Sequence, residues 1–184
     1  SPEHIPFDIG YKLDVEYAVG RLDFDRPEDY RAYVSSVIDY ETTAAVPNAR
    51  RAVFFGTRHQ FDPPTELSAE HLVTPLADGL DGEPGVAQEL GFQSQKLVEK
   101  GATWEALNQV FAPPAGTSPP AFLFTASHGM VWSLSKPAEQ RAAQGALLCQ
   151  DWPGPEAWTE AIPEDFFFSG QDVASDARLL GLVA

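Results

Sequence analysis

Short apolar runs that stop abruptly constrain this chain more than anything else. "RAVFFG" at 51–56, "AFLFTAS" at 121–127, "GALLCQ" at 145–150 and "ARLLGLVA" at 177–184 are each too short for a core helix. A continuous apolar run of this length fits a strand buried on both faces, as in a parallel sheet. "FQSQKLV" at 92–98 alternates and adds a further strand. Between the runs lie stretches of helical character. Strands alternating with helices predict an α/β fold, with a mostly parallel sheet flanked by helices. In such sheets, sites gather at the carboxyl ends of the strands.

The intervening segments carry start and stop signals. Asp25-Arg26-Pro27-Glu28 reads as a helix start, with Asp25 as cap, Pro27 in the first turn and Glu28 completing a capping box. Tyr30, Val34, Val37, Ile38 and Glu41 follow at helical spacing, which predicts a helix over 26–44 ended by Pro47-Asn48. Residues 13–24 read as an extended segment ending at Gly20-Arg21. Ser68–Ala77 has helical character interrupted by Pro75. Residues 79–91 read as loop, and Thr103 caps an expected helix over 104–111. Residues 112–120 form a Pro-rich connector, and 153–165 are loop-like. The whole reads as one domain over 1–184, with 1–50 leading into a sheet core at 51–184.

Charge and composition exclude several classes of function. Hydrophobic residues make up 43% of the chain, enough for a packed core. Acidic residues outnumber basic ones 27 to 12, for a formal charge of −15. A nucleic acid is therefore not an expected partner, because phosphate binding needs clustered Lys and Arg. No run reaches the ~18 apolar residues of a membrane span. The start, Ser1-Pro2-Glu3-His4, has neither the basic residues nor the apolar core of a signal peptide. The single cysteine, Cys149, allows no intrachain disulfide and fits a cytoplasmic setting. No cofactor is expected. Oxygen-rich clusters at Asp8, Asp14 and Glu16, or at Asp78, Asp81 and Glu83, would suit Ca²⁺, but solvated loops are the favoured account of them. Asp165, Asp172 and Asp176 flank the apolar "FFFSG" piece and would line a cleft near the strand ends.

His128 stands where the apolar run 121–127 ends. A neutral imidazole there takes a proton from a nucleophile near neutral pH. Gly129, with no side chain, lets its backbone N–H approach a developing oxyanion. The plainer alternative is a histidine that caps the sheet and a glycine that turns the chain. Cys149 is the one thiol available as nucleophile, but the favoured reading of it is a small buried hydrophobe. No Gly-x-Ser-x-Gly elbow occurs, which argues against a serine hydrolase.

Two stretches together resemble the gingipain-type cysteine peptidases of the caspase-like group. One is "LDVEYAVGRLDFDRPEDYRAYVSSVIDYE" at 13–41, with its "VGR" segment and a helix ending in Tyr40-Glu41. The other is "FLFTASHG" at 122–129. The resemblance implies a caspase-like α/β fold and a Cys-His dyad that hydrolyses a polypeptide. His128 would be the catalytic histidine and Gly129 an oxyanion donor. In that family the nucleophile closes the next core strand, and "LLGLVA" looks like its lead-in. The expectation is a nucleophile just beyond Ala184, with Cys149 as fallback. The chain as given would then be an incomplete, weak or inactive fragment, whose last strand needs the rest of the peptidase or a partner chain. The alternative is a non-catalytic caspase-like module for binding or regulation.

Overall fold

The computed structural model describes residues 5–17, 19–20, 22, 24–43 and 47–184. The chain divides into two compact units, Ser1–Val46 and Pro47–Ala184. The boundary falls four residues before the one expected at 50, because strand β1 starts earlier than its apolar run.

The first unit holds two helices. Helix α1, Phe7–Leu13, departs from the sequence expectation, which has no regular element before the extended segment 13–24. Arg21, where that extended segment was to end, lies outside the described residues, as do His4 and Ala44. Helix α2 spans Pro27–Thr42, with Pro27 in its first turn as expected. Its N-cap is Arg26 rather than Asp25, and no side chain caps it. The Arg26 guanidinium instead forms a two-point pair with Asp29, at 3.1 and 2.7 Å. The Tyr30 hydroxyl ties the helix to its approach by accepting from the Phe24 N–H, at 3.0 Å.

The second unit is α/β. Strand β1, Ala49–Gly56, leads into a helical stretch built of α3, Pro63–Ser68, a π-turn at Ala69–Val73, and α4, Thr74–Asp78. Pro75 has no N–H to give, and the wide turn just before it absorbs that loss: the Thr74 N–H reaches back five residues to Ala69 O. The stretch therefore continues through a proline expected to break it. A short helix α5, Val86–Glu89, stands in the expected loop. Strand β2, Gln93–Val98, and helix α6, Trp104–Phe111, follow as expected. The Thr103 hydroxyl accepts from the Ala106 N–H at 3.2 Å, a cap that contributes about 1 kcal/mol. Strand β3 covers Pro120–Ala126, helix α7 Pro137–Ala143, and β4, β5 and β6 cover Leu147–Leu148, Phe167–Phe168 and Gly181–Val183.

The main sheet has the order β2-β1-β3-β6, and every pairing in it is parallel. Alternate residues of β1 feed opposite faces. Val53 and Phe55 pack with Leu107, Val110 and Leu123 on the α6 side. Ala52 and Phe54 pack with Val73, Ala77 and Ala87 on the α4–α5 side. At the end of β1 the chains come close: a Cβ on Gly56 would stand 2.9 Å from Val73 Cγ2.

One strand does not join this sheet. "GALLCQ" contributes only Leu147–Leu148, in an antiparallel ribbon with Phe167–Phe168. Leu148 is buried there with Trp152 and Phe167 in a third cluster. The strand that completes the parallel sheet beside β3 is β6.

Candidate functional site

The connections leaving β1 and β3 run to opposite sides of the sheet. From β1 the chain leaves by α3–α4 to β2 on one side, whereas from β3 it travels to β6 on the other. The two strands stay paired as far as Gly56 and Ala126, and a switch in strand order of this kind is where parallel sheets place their sites. The segments that follow them, 57–62 and 127–129, bring His128 and Asp62 together. His128 Nε2 lies 2.7 Å from Asp62 Oδ2.

Asp62 is freed for this contact by its own sequence. It occupies the N-cap position of α3, yet its side chain caps no backbone amide. The next two residues are Pro63 and Pro64, which have no N–H to offer. The carboxylate is left to accept from the Thr65 hydroxyl, at 2.8 Å, and from His128. Thr65 Oγ1 in turn accepts from the His59 N–H, at 3.1 Å. The Asp62 side chain is 12% exposed and that of His128 is 43% exposed, so the pair is anchored at one end and open at the other.

This geometry selects a tautomer. A carboxylate only accepts, so Nε2 carries the hydrogen, and a neutral ring then keeps its lone pair on Nδ1. Among the described residues, Nδ1 has no hydrogen-bond partner and stands ready to take a proton.

The segment after β4 braces the β1 loop. The Gln150 side chain pairs with both backbone groups of Arg58, accepting from its N–H at 2.7 Å and donating to its C=O at 3.0 Å. Trp152 packs edge-on to the His59 ring, with centroids 4.8 Å apart. The Asp151 carboxylate accepts from the Trp104 N–H at the start of α6, at 2.7 Å. Burial holds the His59 imidazole below its usual pKa, and the nearby His128 pushes the same way while Asp62 opposes. His59 is thus a neutral support for the loop that carries Asp62.

Gly129 lies beside His128 in an isolated antiparallel bridge to Leu147. The flanking bonds run from the Met130 N–H to Ala146 O and from the Leu148 N–H to His128 O. The Gly129 N–H therefore points away from β4. Gly129 is not among the positive-φ glycines, and the nearest neighbour of an added Cβ would be 3.7 Å away, an ordinary contact. Neither backbone conformation nor packing asks for glycine here.

Cys149 is not brought to His128. It is fully buried in the cluster on the α6 face, with Val53, Phe55, Leu107, Leu123 and Phe168. Its Sγ lies 3.5 Å from Leu147 O, and burial pushes its thiol from the ordinary 9.0 up to about 12. A thiol this hard to ionise is a poor nucleophile. Its raised pKa also gives a signature. The folded state keeps its proton while the unfolded chain loses it, so stability falls as pH rises from about 9 to about 12. Cys149→Ala should flatten the pH dependence of unfolding in that window by up to about 1.4 kcal/mol per pH unit. Denaturant titrations at pH 8 to 11 check this, and an unchanged slope would show the thiol to be ionised in the fold.

Three of the other candidate acids, Asp172, Asp78 and Asp8, have local partners. Asp172 Oδ2 accepts from the Ser169 N–H and hydroxyl, at 2.7 and 2.8 Å. Asp78 pairs with Lys96, and Asp8 with Lys12 at 2.7 Å. Among the described residues, no group of three or more His, Cys, Asp or Glu could hold a metal ion, and no helix is long and apolar enough to cross a membrane.

Sequence reasoning missed Asp62. Its signal was present in "HQFDPPTE", an aspartate and a proline pair at a helix start, just past an apolar strand. What the sequence could not supply was that β1 neighbours β3. No family model, curated protein or solved structure matches the chain.

Proposed function

We propose that this chain is the histidine-bearing part of a cysteine endopeptidase of caspase-like architecture. The observation that carries the reading is the His128–Asp62 pair at the carboxyl ends of two adjacent parallel strands, with Nδ1 open. The β3–β6 register adds to it. Phe122, Leu123 and Phe124 stand opposite Gly181, Leu182 and Val183. Continued in that register, β6 brings the positions after Ala184 level with Ala126 and Ser127, beside His128. A nucleophilic cysteine there would sit beside the strand end that carries His128.

In this reading the thiol proton passes to His128 Nδ1, and the thiolate attacks the carbonyl carbon of the scissile peptide bond. The carbonyl oxygen becomes an oxyanion, to which the Gly129 N–H donates. Collapse breaks the C–N bond, and the imidazolium gives its proton to the leaving amine. Water then attacks the thioester, delivering its proton back through Nδ1 and releasing the acid and the thiol. Asp62 holds the ring in one tautomer and offsets its charge throughout.

A non-catalytic module on the same fold is the second reading, favoured by the burial of the one thiol in this chain. Labelling the full-length polypeptide with an electrophilic peptide probe and mapping the adduct by mass spectrometry separates the two. An adduct on a cysteine that continues β6 supports the peptidase. An adduct on Cys149 places the chemistry on the buried thiol, and no adduct favours the module.

A further inference from the structure

Asp62 reaches His128 from a strained turn, and the residue that bears the strain is Phe61. His59, Gln60, Phe61 and Asp62 form a tight turn closed by the Asp62 N–H on His59 O, at 3.3 Å. Phe61 occupies its third position with φ +62°. Glycine and asparagine suit that position, whereas a bulky aromatic residue adopts it at a cost.

The ring recovers little of that cost in the core of the described fold. Phe61 is 58% exposed. It belongs to none of the three core clusters and stacks on no aromatic ring among the described residues. It is nevertheless held firmly. His59 on one side is 1% exposed and Asp62 on the other 9%. Gly154 closes on Gln60 from the brace, where a Cβ would stand 3.5 Å from Gln60 O. A large apolar ring is thus kept in solvent, one residue from the carboxylate that holds His128, at the expense of backbone strain. Strain kept beside a reactive group, with the ring outside every core cluster, is what a preorganised binding residue looks like.

We propose that Phe61 forms the wall of a subsite for a branched aliphatic or aromatic side chain of an extended polypeptide lying across the His128–Asp62 pair. The ring supplies a rigid contact that loses little freedom when the partner side chain closes over it. The position of this subsite next to the scissile bond rests on the peptidase reading. The contact with an apolar peptide side chain does not, and it can be measured without turnover.

The test is the binding of fluorescein-labelled hexapeptides to the full-length protein by anisotropy. The central amide is N-methylated to block cleavage, and Leu replaces Ala at each flanking position in turn. Wild type should bind one Leu peptide about tenfold tighter than the all-Ala peptide. Phe61→Asn, which suits the turn, should abolish that preference without lowering the thermal midpoint. Phe61→Leu should keep most of it, and His128→Ala all of it. The proposal is overturned if wild type shows no preference, if Phe61→Asn retains it, or if Phe61→Asn lowers the midpoint and weakens both peptides alike. A preference lost in Phe61→Asn, in a protein that no electrophilic probe labels, keeps the subsite and removes the peptidase.

Discussion

On the peptidase reading, His128→Ala in the full-length protein should lower kcat/KM for peptide hydrolysis by at least about 10³-fold, some 4 kcal/mol of transition-state stabilisation. Asp62→Asn should cost about 10² to 10⁴-fold with the fold intact. The reason lies in the 2.7 Å contact between Asp62 Oδ2 and His128 Nε2. A carboxylate enforces the Nε2–H tautomer, whereas an amide can turn its NH₂ toward the ring and place the lone pair on the wrong nitrogen. An amide also leaves the imidazolium without a counter-charge. The two residues act as one unit, so the double variant should be no slower than His128→Ala alone. If Asp62→Asn stayed within about twofold of wild type while His128→Ala was dead, Asp62 would be a support for α3 with no part in setting the base. Circular dichroism and thermal midpoints on the same samples separate loss of chemistry from loss of fold.

The sequence made one half of this pair legible and hid the other. "FLFTASHG" marks a strand and the histidine at its end through purely local signals, a continuous apolar run broken by small polar residues. The same holds for β1, and for α6 with its Thr103 cap. Asp62 depends on strand order. It matters because β1 lies next to β3, an arrangement fixed by how α4, α5 and α6 distribute over the two faces and not by any residue near position 62. "GALLCQ" failed for a related reason. An apolar run reports that a strand is buried but not which sheet it joins, and Leu147–Leu148 found Phe167–Phe168 instead of β3. In Cys149, burial and reactivity competed for one residue, and burial among Phe55, Leu107 and Leu123 won.

Phe55→Ala should produce the largest loss of stability among single core truncations, about 3–5 kcal/mol. Phe55 is 0% exposed and stands on β1, which like β3 is hydrogen-bonded on both sides within the sheet. Its ring belongs to the cluster that joins Leu107 and Val110 of α6 to Leu123 of β3 and to Cys149. Those neighbours come from three separate segments, α6, β3 and the residue after β4, so they cannot all move inward to refill the space. A cavity that cannot collapse leaves the full cost of lost contacts. For a unit of this size that corresponds to a thermal midpoint roughly 10–20 °C lower. Phe61→Asn, six residues along the same segment, should leave the midpoint unchanged. The contrast puts a number on the division of labour at the end of β1: one phenylalanine is bound into the fold, and the other is held out of it. Differential scanning calorimetry of the two variants side by side reads it directly. A drop of under about 1 kcal/mol for Phe55→Ala would mean that the α6 face repacks freely and that the Asp62 loop does not rest on a rigid floor.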